Sequence, residues 1–251
     1  MSEAPAKPAF AGLAGAKAAP GSGHPTIRPV PAATMIIVDG SGTEPKVLMG
    51  RRNESHVFMP GRYVFPGGRV DPSDRKMNVA GALHELVEMR LIKRARPATS
   101  SSARALALAA IRETYEETGM LIGSPDYGTP ESPPEGPWSD YASHGLYPEL
   151  DQLHLIARAV TPTGRPRRFD TAFFAVGAES IAGQVDGMIG PDKELVDLIW
   201  LPLSRAEKLD MPSITHTVLL ELGQRLEAGM SPMLPVPLYF DRRGIWQREL
   251  L

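Results

Sequence analysis

Cysteine is missing from this chain of 251 residues. That one absence excludes disulfides, thiolate zinc sites, iron–sulfur clusters and cysteine nucleophiles. There are six histidines, and none stands in an H-x-x-x-H or similar pair. An excess of charge is missing as well. Lys and Arg number 27 and Asp and Glu 29, a net charge of −2. No global field therefore draws the chain to nucleic acid or to an anionic membrane. No apolar run approaches the ~18 residues needed to cross a bilayer. No internal repeat is found, and the first thirty residues lack the apolar core of a secretory signal. The expectation is a cytoplasmic protein that engages neither nucleic acid nor membrane. Hydrophobic residues make up 42% and charged residues 22%, enough for one large globular domain or two small ones.

Proline is abundant, with 25 residues, about twice the usual ~5% share. Six fall within 1–31, among Ala and Gly, so residues 1–27 are expected to be a disordered tail. Six more fall within 125–148, which reads as a long connection, either a functional lid or padding. Between and after these segments lies one domain, 28–230. A C-terminal extension, 231–251, carries Tyr239, Phe240 and Trp246 and is too apolar to be free chain, so it is expected to pack on the domain or on a partner.

The pattern predicts strands over 33–38, 46–50, 63–65, 153–160, 169–176 and 198–203. Helices are expected over 79–95, with Leu83, Leu86, Val87 and Leu91 on one stripe, over 103–118, and over 213–227. The run Ala103–Ala110 is almost entirely Ala and Leu, strong helix formers. Thr99–Ser102 offers its N-cap and Gly119 its left-handed C-cap. Strands and helices interleave without regular βαβ repetition. The fold class is therefore α/β, a mixed sheet with helices on both faces.

The most informative stretch is Arg112-Glu113-Thr114-Tyr115-Glu116-Glu117-Thr118-Gly119. Glu113, Glu116 and Glu117 stand at i, i+3 and i+4 and share one helix face. They repel one another and sit in the last turn, where the macrodipole disfavours negative charge. Arg112 can reach Glu116 at i+4, which offsets only part of that cost. A Glu-rich face in isolation is solvated surface. Three carboxylates gathered at a helix end also suit a hard divalent ion. The preceding Phe65-Pro66-Gly67-Gly68 lets backbone turn sharply and approach a ligand, though a Pro-Gly-Gly alone is an ordinary turn.

Together these pieces resemble the signature of the Nudix hydrolase family, a Gly-containing loop followed by a helix carrying Arg-Glu-x-x-Glu-Glu-x-Gly. The helix half fits at every defined position. The loop half departs: the family's further Glu, six positions after the second Gly, is Asp74 here. Gly68 and Arg112 are also 44 positions apart, roughly 30 more than in the compact motif and far beyond an ordinary connection. The insertion, about 75–102, contains the basic helix. Such a split motif is similar to the branch of peroxisomal coenzyme A diphosphatases and their bacterial relatives. So are the stretches 58–68, Thr161-Pro162 and 167–174.

The resemblance implies an α/β/α sandwich with a helical insertion inside the motif. It also implies a Mg²⁺- or Mn²⁺-dependent hydrolase of a diphosphate bond, with Glu113, Glu116 and Glu117 as metal ligands. Arg112 would hold Glu116, the backbone of Gly67 and Gly68 would approach metal or phosphate, and Asp74 would stand further out. The general base in this family is a helix Glu or a carboxylate from a later loop. Glu194 is the candidate here, against its reading as a loop charge. Arg51 and Arg52, and a second cluster of Arg165, Arg167 and Arg168, are candidates for the phosphates. The basic face of Arg90, Lys93 and Arg94 is a candidate for a further phosphate, or else a solvated surface. Phe169 and Tyr63 could stack on a base or pack in the core. Three readings follow: coenzyme A or acyl-coenzyme A as substrate, another substrate such as ADP-ribose or a dinucleotide, or a metal- or nucleotide-binding module with little turnover. Relatives often form homodimers.

Overall fold

The computed structural model describes residues 13–18, 27–55, 60–206 and 208–251. The chain runs through β1 (Val30–Asp39), β2 (Lys46–Arg52), β3 (Tyr63–Val64) and β4 (Gly67–Arg69), then α1 (Glu85–Ile92) and α2 (Ser100–Thr118). Next come β5 (Met120–Ser124), α3 (Pro137–Ala142), β6 (Tyr147–Pro148), β7 (His154–Val160), β8 (Phe169–Gly177), β9 (Ile181–Gln184) and β10 (Leu195–Pro202). The last elements are α4 (Leu203–Ala206), α5 (Ser213–Glu227), β11 (Pro237–Arg242) and β12 (Ile245–Leu250).

Among the described residues, nine strands form one sheet in the order β10-β2-β1-β8-β7-β11-β12, with β3 beside β2 and β4 beside β1. The sheet is mixed: β1 runs parallel to β8 and β11 parallel to β7, and the other pairs are antiparallel. A second sheet joins β6, β5 and β9. β1 is apolar on both faces because both are covered. Ala33, Met35 and Ile37 join the core beneath α2, whereas Ile36 and Val38 join the core beneath α5. β8 alternates likewise, with Ala172 and Phe174 toward α2 and Phe173 and Ala175 toward α5. The architecture is the expected α/β sandwich.

Local chemistry explains the main elements and the departures. Thr99 caps α2 by accepting the Ser102 N–H, and Gly119 ends it in the left-handed region at φ +74°. The basic helix is shorter than the expected 79–95. Gly81 lies at φ +66°, Ala80 bridges to Glu149, and the helix starts only after His84, whose Nδ1 accepts the Leu86 N–H. It ends at Ile92, and Arg94, just beyond the C-cap Lys93, adopts φ +60°.

The connection 125–148 is not structureless. It contains α3, whose Trp138 and Tyr141 are fully buried against α2. Residues 231–251 include the hairpin β11–β12, which extends the main sheet beyond β7. Within the tail expected to be disordered, residues 13–18 lie along that hairpin. Gly15 N–H donates to Trp246 O, and Lys17 bridges to Ile245. The unpaired edge of β12 gives that short segment hydrogen-bond partners that its composition does not reveal. The rest of the tail up to residue 26, and Phe58 and Met59, lie outside the described residues.

Candidate active site

The last two turns of α2 carry the acidic groups. Glu113 and Glu117 emerge toward β4, and Glu116 lies on the same helix face, as helical spacing requires. Arg112 is buried at their root. Its Nη1 donates to Glu113 Oε1 at 2.8 Å and to Glu116 Oε1 at 2.7 Å. Its Nε and Nη2 grip Asp74 at 2.8 and 3.1 Å, and Nη2 also donates to Arg69 O. Burial alone would lower the Arg112 pKa, but the three carboxylates outweigh it and the group is held firmly cationic. Asp74 holds the guanidinium by the edge away from Nη1, behind the two carboxylates. It is 0% exposed and lies on the far side of Arg112.

The glycine loop closes on this face. Gly67 N–H donates to Glu117 Oε2 at 3.2 Å. At Gly68 a Cβ would lie 2.4 Å from the Glu113 carboxyl carbon. The carboxylate thus occupies the space that a side chain would fill, and only glycine permits that approach. Glu194 reaches the same place from the loop before β10, and Arg52 at the end of β2 forms an ion pair with it. Burial, with Glu194 and Glu113 nearby, pushes the Glu117 carboxyl well above the usual carboxylate range, opposed by Arg52 and the Gly67 N–H. Burial likewise raises Glu113, opposed by Arg112.

Arg51 and Arg168 are not brought to this place. Arg51 follows Met49 by two residues, and the Met49 side chain joins the core beneath α5. Arg51 therefore projects to the opposite face from Arg52, and it pairs loosely with Glu54 at 4.0 Å. Arg168 donates to Thr161 O and Ile27 O. It lines a separate cavity of about 230 Å³ with Arg94, Arg158 and Asp170. Nor do the inserted cations face the carboxylates. Arg90 donates to Pro232 O, Lys93 to Leu250 O and Arg94 to Glu249, all in the C-terminal segment.

A larger cavity of about 720 Å³ opens on the α5 face. Arg62, Arg165 and Arg167 line it with Phe169, Phe173, Ile214 and Trp246. Its lining residue Phe173 pairs in register with Thr34, which pairs with Gly67 on its other side. From the α5 face the cavity thus adjoins the stretch of β1 that carries the glycine loop. Phe169 lines this cavity rather than closing the core.

Among the described residues no three carboxylate or imidazole groups already converge as a metal cluster. Arg112 holds one oxygen each of Glu113 and Glu116. The donor set nonetheless fits a hard divalent cation. It is all carboxylate and partly desolvated, and burial, with neighbouring carboxylates adding to it, raises Glu117 and Glu113. The missing side chain at Gly68 leaves the room that the Glu113 carboxylate takes.

No protein-family model matches the chain. Human acyl-coenzyme A diphosphatase NUDT19 is 27% identical over 176 residues, covering 51% of this chain and 47% of the relative. The chain thus spans about half the length of the curated relative it matches. The crystal structure of a NUDIX hydrolase from Alicyclobacillus acidocaldarius superposes with a TM-score of 0.56 at 28% identity, covering 77% of this chain and 90% of that one.

Proposed function

We propose that the chain is a Nudix hydrolase, a reading its likeness to the human diphosphatase and the Alicyclobacillus NUDIX hydrolase supports, and that it hydrolyses the diphosphate bond of coenzyme A or an acyl-coenzyme A with a divalent metal ion. The observation that carries this reading is the approach of Glu117 and Glu113 to Gly67 and Gly68, with Glu116 sharing Arg112 with Glu113 and Glu194 paired with Arg52 near Glu117. Glu113, Glu116 and Glu117 would hold Mg²⁺ or Mn²⁺, which supplies charge neutralisation for the diphosphate and activation of a water. Arg112 orients two of these carboxylates. Glu194, paired with Arg52, would accept the proton of the attacking water. Gly68 leaves room for the Glu113 carboxylate.

The organic part of the substrate would enter the 720 Å³ cavity. Its apolar floor suits an adenine or an acyl-pantetheine body, and its arginines suit a phosphate beyond the diphosphate. The name of the human relative points the same way.

The test is a substrate panel with Mg²⁺ or Mn²⁺, read by product mass: coenzyme A, acetyl-coenzyme A, NADH, ADP-ribose, a diadenosine polyphosphate and nucleoside triphosphates. Release of 3′,5′-ADP and a 4′-phosphopantetheine is the expected result. Cleavage of another member alone would discard the coenzyme A assignment and keep the chemistry. Retained Mn²⁺ binding with no cleavage would replace the enzyme by a binding module. Glu116→Gln and Glu117→Gln should each lower turnover roughly 10²-fold or more without unfolding, as for loss of a major electrostatic contribution.

A further inference from the structure

We propose that Trp138 is a positioning residue, setting the carboxylates of α2 through a buried hydrogen-bond relay. The proposal rests on the reading of those carboxylates as the reaction site. Trp138 comes from α3, outside both halves of the motif, and is fully buried. Its indole N–H donates to Asp74 Oδ1 at 2.9 Å. Asp74 is itself fully buried and accepts three further bonds: from Arg112 Nε at 2.8 Å, Arg112 Nη2 at 3.1 Å and the Asp71 N–H at 2.8 Å. One edge of the Arg112 guanidinium is thus fixed by Asp74. Its Nη1 fixes Glu113 and Glu116. The relay runs Trp138, Asp74, Arg112, then two carboxylates.

A buried indole N–H needs a partner, and any carbonyl would serve. Here the partner is the carboxylate on which the site's central arginine depends. The donor is also held in place independently of that bond. Tyr141 stacks edge-on to Trp138 at 5.4 Å and to Tyr115 of α2 at 5.5 Å. Tyr141 Oη donates to Ile122 O, and Tyr115 Oη donates to Asp140 Oδ2. α3 is therefore braced against α2 at several points, and Trp138 is the one that reaches Asp74. Without that N–H, Oδ1 keeps a single donor. The guanidinium is then free to shift by a fraction of an ångström, and active sites tolerate such displacement poorly.

The experiment compares Trp138→Phe, which keeps an aromatic ring and removes the donor, with Tyr141→Phe, which removes a hydroxyl from the same helix without touching Asp74. Melting temperature, kcat, KM and Mn²⁺ affinity of the protein alone are measured for each. The expectation for Trp138→Phe is a roughly 10-fold weaker Mn²⁺ affinity and a similar fall in kcat, with KM within about 2-fold, as for partners of metal ligands. Tyr141→Phe should lower the melting temperature comparably and leave kcat and Mn²⁺ affinity unchanged. In an Asp74→Asn background the Trp138 substitution should add nothing further, since both act through one carboxylate. If Trp138→Phe folds and keeps wild-type Mn²⁺ affinity and kcat, or if both variants change alike, Trp138 only fills the core and the proposal fails. Failure of the site reading looks different: Glu116→Gln would then leave Mn²⁺ affinity intact.

Discussion

At the scale of single residues, three glycines in and around the motif have different duties. At Gly67 a Cβ would lie 2.5 Å from Ala33 O and 2.7 Å from Thr34 Cα, in backbone that cannot yield. At Gly68 the obstruction is the end of the Glu113 side chain, which can swing away. Gly67→Ala should therefore cost stability, about 1–3 kcal/mol as for other overpacked sites. Gly68→Ala should keep its melting temperature within a few degrees and lose most of its turnover, because Glu113 is displaced. Thermal scanning beside a turnover assay separates the two. A Gly68→Ala enzyme of normal rate would mean that Glu113 has no part in the site. At Gly119 a Cβ would lie 2.1 Å from Val185 O, and φ is +74°. The two motif glycines were legible in the sequence as turn formers. That one protects the sheet and the other admits a carboxylate was not, because the obstructing atoms come from β1 and α2.

At the scale of elements, α1 changes meaning between sequence and structure. Its cations read as a candidate phosphate surface, yet Arg90, Lys93 and Arg94 are bonded to the segment 232–250. Arg94 also lies over the Phe240 ring at 4.7 Å. The inserted helix therefore staples the C-terminal hairpin to the domain. Replacing all three residues with Ala should lower the melting temperature by several degrees and quicken proteolysis after Leu226. The ratio of KM for coenzyme A to that for dephospho-coenzyme A should stay within about 2-fold, since no phosphate contact is lost. A selective rise in KM for coenzyme A would return the helix to substrate recognition. The sequence displayed the basic face but not what it touches, because its partners lie about 140–160 residues further along and are mostly backbone carbonyls.

At the scale of the whole molecule, stability carries a pH dependence remote from the carboxylates. His154 opens β7, and burial, with Arg225 nearby, holds its pKa below the ordinary 6.5. On unfolding it regains that value, so the unfolded chain binds more protons around and below pH 6.5. This contribution makes the native state progressively less stable as pH falls through that range. His154→Gln should flatten the fall in melting temperature between about pH 7.5 and 5. An unchanged pH profile would show that His154 is already accessible to protons in the folded state.

The sequence by itself determined the helix that carries the carboxylates, with its caps, and most of the strands flanking it. Those signals are local: alanine–leucine propensity, a capping threonine, a terminal glycine, and alternation of apolar residues. It also determined that Glu113, Glu116 and Glu117 would share one face, since 3.6-residue periodicity requires it. Only the tertiary structure decided which arginine joins them. Arg51 and Arg52 are indistinguishable in composition, and the pleat of β2 sends them to opposite faces. Only the tertiary structure brought Glu194 beside Glu117, set Asp74 behind Arg112 and delivered Trp138 to Asp74. Those contacts close over tens to more than a hundred residues of chain. They depend on sheet order and packing, which no local pattern encodes.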